Sequence, residues 1–130
     1  MAAALIGAND PPPFEIVNEG GEAPLLLICD HASCAVPEAL CSLGLDEATL
    51  TEHIGWDIGS AAVTRQLALL LDAPAVLAGY SRLLIDCNRP IAAPDLVPSV
   101  ADGRPVPGNQ NLSAADIAAR RDAFFEPYHA

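Results

Sequence analysis

The sequence contains no lysine, and its six basic residues are all arginines. Acidic residues outnumber them by 17 to 6, so the formal net charge is −11. Nucleic acids and anionic membranes are bound through basic patches, which so acidic a chain does not supply. The composition therefore argues against both as partners, and it marks each arginine as a candidate for a specific contact.

Long apolar runs are also missing. No stretch reaches about 18 consecutive apolar residues, so no membrane-spanning helix is predicted. Residues 1–6 carry no basic segment and are too short for a secretory signal peptide, which favours a cytoplasmic protein. An apolar share of 52% in 130 residues predicts a single globular domain. A proline-containing lead-in at residues 1–13 is predicted to be flexible.

No Cys-x-x-Cys pair occurs among the four cysteines, which are Cys29, Cys34, Cys41 and Cys87. Cys29 and Cys87 lie inside apolar runs, where thiols are commonly buried. Buried, reduced cysteines in a cytoplasmic protein are the favoured interpretation. A disulfide or a cysteine-rich metal site is the alternative.

Short apolar runs alternate with helical patterns, which predicts an α/β fold. Strands are predicted at residues 14–17, 24–29, 75–78 and 83–85, the first at an edge and the second in the centre of the sheet. Helices are predicted at residues 37–43, 46–50, 58–71 and 113–125. A long irregular connection is predicted between residues 91 and 112.

Polar side chains follow two of the predicted strands. Asp30 and His31 follow strand 24–29, and Asp86, Asn88 and Arg89 follow strand 83–85. Ligands of α/β proteins collect beyond the carboxyl ends of strands. The two groups would therefore form one site if both strand ends lie on the same side of the sheet.

Arg82 and Arg89 are the predicted carboxylate-binding residues. A guanidinium presents a planar fork of donors, and each charge-assisted hydrogen bond contributes roughly 1.5–3 kcal/mol. The alternative is that Arg82 and Asp86 pair with each other to close a strand end. Asp86 is expected to stabilise the turn, because a carboxylate beside an anionic ligand opposes binding. Arg120 is expected to be exposed on a helix.

Four sequence blocks occur in one order: DHAS at 30–33 with VP at 36–37, HIGWDIG at 53–59, YSRLLIDCNRP at 80–90, and VPGN at 106–109 with LS at 112–113. Through these blocks nearly the whole chain after Leu25 resembles the N-formylglutamate amidohydrolase family. The resemblance implies a fold similar to that of zinc-dependent exopeptidases (phosphorylase/hydrolase-like), with a mixed sheet between helices. It also implies hydrolysis of an N-acyl amide such as N-formyl-L-glutamate, a reaction of histidine degradation.

The same resemblance assigns roles to residues after the third predicted helix. Zinc carboxypeptidases hold the substrate carboxylate with an Asp-x-Asn-Arg element similar to residues 86–89, which assigns substrate binding to Asn88 and Arg89. Arg82 joins them on its residue type. The implied substrate is a small anionic N-acyl amino acid, which suits these arginines in so acidic a chain.

A divalent metal, zinc above all, is implied as cofactor. His31 is the implied first ligand, since the first metal-binding histidine of the exopeptidases also follows a buried strand. Asp57 is the best second ligand by its place in the family block, and His53 is a weaker one. Cys34 departs from the exopeptidase pattern, because it stands where their His-x-x-Glu glutamate would be. The alternatives are a structural His31 and an Asp57 that caps the helix at 58–71.

Family members continue with later His-containing and Glu-containing blocks, which resemble a further ligand and the general base. Without these blocks the chain is predicted to be the N-terminal half of a larger amidohydrolase domain, with very low turnover alone. A carboxylate-binding module without catalysis and a truncated product that folds poorly are the alternatives. An uncovered sheet edge would also favour self-association.

Overall fold

The computed structural model of the protein describes residues 4–130. The predicted lead-in begins at residues 1–3, which lie outside the described part. Residues 4–13 form no helix or strand. Their end is nevertheless held in place, because the Gly79 N–H donates to the Pro13 carbonyl at 2.9 Å and the Tyr80 hydroxyl donates to the Pro11 carbonyl.

A three-stranded sheet organises the first part of the chain. Its strands are β1 (Phe14–Val17), β2 (Leu27–Cys29) and β3 (Ala75–Ala78), and they pair in the order β1-β3-β2. The central strand β3 runs antiparallel to β1 and parallel to β2. The predicted strands 14–17 and 75–78 are therefore confirmed, and the first lies at an edge as expected.

The prediction for the second strand is wrong in two respects. β2 begins at Leu27 instead of residue 24, and it lies at the edge of the sheet instead of in its centre. Leu25, Leu26 and Ile28 are exposed. A continuous apolar run is typical of a strand that is covered on both faces. Within residues 4–130, however, no strand pairs with the outer edge of β2.

The strand predicted at residues 83–85 is also wrong, because these residues form a series of turns. Their side chains are buried, which produced the apolar signal. Their carbonyls are satisfied by side chains instead of by a neighbouring strand. The Asn109 side-chain amide donates to the Leu83 carbonyl at 2.8 Å, and the Arg120 guanidinium donates to the Leu84 carbonyl at 3.0 Å.

Residues 4–130 contain four α-helices, two of which start at a predicted capping residue. They are α1 (Glu47–Leu50), α2 (Ser60–Leu71), α3 (Ala114–Arg120) and α4 (Glu126–His129), with a π-helical turn at Arg121–Phe125 joining the last two. Asp46 caps α1 by accepting the Thr49 N–H at 2.8 Å. Ser113 and Asp116 form the predicted capping box of α3. The helix predicted at 37–43 is instead a 3-10 segment, Glu38–Gly44, in which residues 41–43 have positive φ.

The connection predicted to be irregular contains a short hairpin of β4 (Val100–Ala101) and β5 (Arg104–Pro105). A 3-10 turn, Pro107–Asn109, follows it. The main core packs Leu83, Leu84 and Phe124 together under these turns, while α2 covers β2 and β3. The architecture is thus mixed α/β, as the sequence predicts.

Arg120 is not the exposed helical residue that the sequence predicts. It is almost completely buried, and its guanidinium donates to the Leu84 carbonyl, the Asn109 side-chain oxygen and the Gly108 carbonyl. These acceptors lie in two segments, the turns at residues 83–85 and the 3-10 turn Pro107–Asn109. Arg120 connects both segments to α3. Arg120 therefore fixes the turns that carry Asp86 against the C-terminal helices.

We expect Arg120→Lys to reduce the free energy of unfolding by about 2–4 kcal/mol, because a lysine cannot reach three acceptors and leaves buried carbonyls unpaired. Denaturant unfolding followed by circular dichroism measures this loss. Arg121→Lys is the matched control, since Arg121 is only partly buried and pairs with its neighbour Asp122. Equal small effects of both changes would contradict the structural role of Arg120.

Candidate functional site

His31 lies at the centre of the candidate site. It lies two residues after the end of β2, and only 6% of it is exposed. Its Nε2 lies 2.6 Å from Asp86 Oδ1, and its Nδ1 lies 3.2 Å from Asp57 Oδ2. The imidazole is therefore held between two carboxylates that come from separate sequence blocks.

Asp86 is buried, and the surrounding turn supplies its partners. Its Oδ1 also accepts the Asn88 backbone N–H at 2.9 Å, which closes the turn locally. Its Oδ2 faces Arg82 Nη2 at 3.2 Å and Arg89 Nε at 3.8 Å. Asp86 does stabilise the turn as predicted, but its direct bond to His31 was missed because nothing in the sequence pairs the two positions.

The electrostatics of this pair favour two charged partners. Burial alone lowers the pKa of His31, but the hydrogen bond and charge of Asp86, together with the bond to Asp57, outweigh burial and raise it. Burial likewise raises the pKa of Asp86, and His31, the Asn88 N–H and Arg82 outweigh it and lower the pKa. Both ring nitrogens of a protonated His31 donate, which satisfies both carboxylates at once.

Asp57 does not cap the long helix, so that alternative is wrong. Helix α2 begins at Ser60, and Gly59 is its N-cap residue, with φ at 84° and no side-chain capping bond. The Asp57 carboxylate instead faces His31 and Arg82, with Oδ1 at 3.4 Å from Arg82 Nη1. Glycine adopts a positive φ readily, and Gly59 lies between Asp57 and the first residue of α2.

Arg82 connects the two carboxylates that flank His31. One terminal nitrogen faces Asp57 and the other faces Asp86. The expected alternative, a pair between Arg82 and Asp86, is present. It does not close a strand end, because residues 83–85 are not a strand. Arg82 instead completes a continuous network of His31, Asp57, Asp86 and itself.

Arg89 and Asn88 lie at the exposed side of this network. Arg89 Nε lies 3.4 Å from Asp95 Oδ2, and its side chain is partly exposed. Asn88 is exposed, and only its backbone bonds to Asp86. These two of the three predicted substrate-binding residues are thus accessible. Asp95 was missed, since an aspartate in a proline-rich connection carries no distinguishing signal.

Two cavities border the network. One, of about 270 Å³, is lined by Arg82, Arg89, Asp86 and Asp95 among others. The other, of about 490 Å³, is lined by His31, Asp57 and Asn88 together with apolar residues of β2 and α2. The predicted metal-binding pair and the two arginines therefore face different cavities, and the Arg82–Asp57 contact lies between them.

His53, the weaker metal candidate, does not join His31. Its Nε2 lies 3.0 Å from Asp102 Oδ2 at the turn of the β4–β5 hairpin, and both side chains are exposed. The two residues line the smaller cavity with Arg82 and Arg89. Their pairing depends on the hairpin, which the sequence did not predict.

The His31–Asp57 pair fits two ligands of a tetrahedral zinc ion. Zinc binds histidine nitrogen and carboxylate oxygen at about 2.0–2.1 Å, so two such ligands lie roughly 3.3 Å apart. His31 Nδ1 and Asp57 Oδ2 are 3.2 Å apart. The other ring nitrogen is held by buried Asp86, the arrangement that orients metal-binding histidines. Among residues 4–130, no group of three or more His, Cys, Asp or Glu side chains forms a complete site.

The protein is thus of the mixed α/β class, and its candidate site holds a histidine between two carboxylates with arginines nearby. Comparison with known proteins identifies its family. The profile of the N-formylglutamate amidohydrolase family matches residues 23–130. The chain belongs to this family.

One solved structure, the crystal structure of a gene product from Agrobacterium tumefaciens, superposes with a TM-score of 0.93 at 34% sequence identity. The match covers 96% of this chain and 50% of that chain, so this chain spans half the length of the solved one. No curated protein matches the chain. No helix among residues 4–130 is long and apolar enough to cross a membrane.

The charged His31–Asp86 pair predicts how stability changes with pH in metal-free protein. A raised His31 pKa adds stability that is complete below the ordinary value of 6.5 and is lost as pH rises through the folded value. A lowered Asp86 pKa adds stability that is present above the ordinary 3.8 and is lost as pH falls through the folded value. The pair thus contributes most between these two ordinary values.

We therefore expect the unfolding free energy to fall as pH rises from 6 to 9, and His31→Gln to flatten that fall. Denaturant titrations with a chelator present measure it at each pH. His53→Gln, at the exposed histidine, is the control and should leave the slope unchanged. A slope that persists in His31→Gln would show that another group is responsible.

Proposed function

We propose that this chain supplies the metal-binding and carboxylate-binding parts of an amidohydrolase site that acts on N-acyl amino acids, with N-formyl-L-glutamate as the preferred substrate. The observation that carries the proposal is the His31–Asp57 pair, which has zinc-ligand spacing and contacts Arg82. Family membership supports the class of reaction. A fold related to the zinc-dependent exopeptidases and a cytoplasmic location remain part of the proposal.

His31 Nδ1 and Asp57 would hold the metal, with zinc the expected ion. When bound, such an ion polarises a carbonyl and lowers the pKa of a bound water. Asp86 fixes the orientation of the imidazole by accepting from Nε2 at 2.6 Å. Because Asp86 and Asp57 raise the pKa of metal-free His31, a metal competes with a proton for Nδ1.

Arg82, Asn88 and Arg89 would bind the substrate carboxylate. Arg89 is partly exposed and its contact with Asp95 is long, at 3.4 Å. A substrate carboxylate can therefore replace Asp95 as its partner. Arg82 is more enclosed and is held by Asp57 and Asp86, which places its positive charge next to the metal-binding pair. There it can stabilise negative charge on the substrate.

Zinc binding tests the metal assignment. We expect the wild-type chain to bind one zinc ion weakly, and His31→Ala or Asp57→Asn to reduce affinity at least about tenfold, since each removes one of two ligands. Isothermal titration calorimetry measures the affinity, and the absorption of bound cobalt reports the ligand geometry.

His53→Ala is the matched control, because His53 pairs with Asp102 instead of His31. It should bind zinc as the wild type does. Binding that survives His31→Ala but is lost in His53→Ala would overturn the assignment.

Carboxylate recognition by Arg89 is tested with Arg89→Lys, which keeps the charge and loses the fork. We expect binding of N-formyl-L-glutamate to weaken about 10- to 100-fold, the equivalent of one to two charge-assisted bonds. NMR chemical-shift titration measures it. An N-formyl amino acid amide, which lacks the α-carboxylate, should bind equally to both forms. Arg121→Lys is the control, because Arg121 lies in the π-helical turn and pairs with Asp122.

Hydrolysis itself is tested by measuring formate release from N-formyl-L-glutamate in the presence of zinc. The chain alone is expected to turn over at less than a tenth of the rate of a full-length family member, and His31→Ala should abolish the remaining activity. Ligand binding without any zinc-dependent formate release would instead favour the alternative, a carboxylate-binding module without catalysis.

A further inference from the structure

The smaller cavity contains an ion pair that the proposed function does not use. His53 Nε2 lies 3.0 Å from Asp102 Oδ2, and both residues line this cavity of about 270 Å³. Arg82 and Arg89 line it as well. Asp102 lies at the turn of the β4–β5 hairpin, which contributes three lining residues. The cavity therefore combines hydrogen-bond donors from two separate parts of the chain, the turns at residues 82–89 and the segment that carries His53.

His53 presents a donor to the cavity in either of its charge states. A carboxylate only accepts hydrogen bonds, so the contact with Asp102 places a hydrogen on His53 Nε2. The neutral imidazole in this tautomer donates from Nε2, and the protonated imidazole donates from Nε2 and Nδ1. A ligand carboxylate can therefore bind Nε2 in place of Asp102 without any change in the protonation of the ring.

The His53–Asp102 pair is exposed enough to exchange its partner. The two side chains are 68% and 63% exposed. Ion pairs at such positions contribute little to stability, and water hydrates a carboxylate that leaves one of them. Asp86, in the same cavity, differs because it is buried and bonded to His31. An incoming carboxylate therefore displaces Asp102 far more readily than Asp86.

The hairpin keeps other contacts when Asp102 leaves His53. Arg104 Nη2 donates to Glu52 Oε2 at 2.6 Å, and Glu52 directly precedes His53. At the base of the hairpin, the Val106 N–H donates to the Ser99 carbonyl at 2.9 Å. Neither bond involves Asp102. Exchange at His53 thus frees one donor and leaves the wall of the cavity in place.

Arg89 supplies a second carboxylate-binding point in the same cavity. Among residues 4–130, it contacts carboxylates through Nε only, at 3.4 Å from Asp95 and 3.8 Å from Asp86. Its terminal nitrogens can therefore bind a ligand carboxylate as a fork. The cavity volume lies just below the range of about 300–1,000 Å³ that is typical of ligand sites, which suits a small ligand.

We propose that His53 is a specificity-determining residue that binds the side-chain carboxylate of an acidic N-acyl amino acid, while Arg89 binds its α-carboxylate. This role rests on the proposed function, which names N-formyl-L-glutamate as the preferred substrate. In the free protein Asp102 occupies the donor that the second carboxylate takes. Hydrogen bonds to a carboxylate are roughly twice as strong as those to a neutral amide, so a neutral side chain competes poorly with Asp102. The pair thus selects ligands that carry a second negative charge.

The test compares N-formyl-L-glutamate with N-formyl-L-glutamine, which has nearly the same shape but lacks the second charge. We expect the wild-type chain to bind the glutamate ligand about tenfold more tightly in isothermal titration calorimetry. Long-range repulsion by a chain with a formal charge of −11 favours the less charged ligand, so this preference must come from a local contact.

Two variants should change the affinity in opposite directions. His53→Phe keeps a ring and removes the donor, so it should weaken the glutamate ligand to the affinity of the glutamine ligand. Asp102→Asn should strengthen the glutamate ligand about two- to tenfold, because a neutral amide competes less for Nε2. Asparagine also tolerates the φ of 49° at residue 102. If the pair only held the hairpin, both variants would weaken both ligands.

Arg104→Gln is the matched control, because it removes the neighbouring hairpin contact to Glu52 without touching His53. It should leave the ratio of the two affinities unchanged, and circular dichroism checks that each variant folds. Equal wild-type affinities, a preference that persists in His53→Phe, or weaker binding in Asp102→Asn would overturn this role of His53 and leave Arg89 and the zinc assignment intact. Failure of both ligands to bind would overturn it together with the proposed function.

Discussion

The hydrogen bond between His31 and Asp86 is the interaction on which the site depends. Both side chains are buried, and their atoms approach to 2.6 Å. Buried ion pairs contribute little net stability, because desolvation offsets their attraction, whereas removing one partner is costly. The pair therefore acts mainly to fix geometry. It holds the imidazole so that Nδ1 faces Asp57, and it holds the turn that carries Asn88 and Arg89.

This constraint explains why residues 83–85 are turns. To place Asp86 beside His31, the chain must fold back after β3 instead of adding a strand to the sheet. The Leu83 and Leu84 carbonyls, which would pair with a neighbouring strand if these residues formed a strand, instead accept hydrogen bonds from the Asn109 and Arg120 side chains. A second buried network thus supports the first. The two together link β2, the turn at residues 83–89 and helix α3, which are far apart in the sequence.

The features that were predictable from the sequence are those that neighbouring residues determine. β1, β3, the Asp46 cap and the Ser113 capping box depend on local periodicity or on contacts over three residues, and all are confirmed. The edge position of β2, the burial of Arg120 and the Asp57 contacts depend on distant partners. Apolar residues 83–85 predicted burial correctly and secondary structure wrongly, because burial can be achieved without strand pairing. The family blocks named His31 and Asp57, which local patterns alone could not have joined.

The acidity of the chain sets how its arginines can work. Five of the six guanidiniums contact carboxylates, and the sixth, Arg120, donates to carbonyl oxygens. Arg89 contacts Asp86 and Asp95 through Nε only, at 3.8 and 3.4 Å, so an anionic ligand can bind its guanidinium or take the place of Asp95. Arg65, Arg104 and Arg121 pair at sites remote from His31 in the contact network, whereas Arg82 and Arg89 both line the cavity beside Asp86. On the proposed function, exchange at Arg89 releases Asp95, which is exposed and readily hydrated, while Arg82 keeps Asp57 and Asp86. Among the arginine pairs, substrate binding thus changes only the exposed Arg89–Asp95 pair, and the geometry around His31 is preserved.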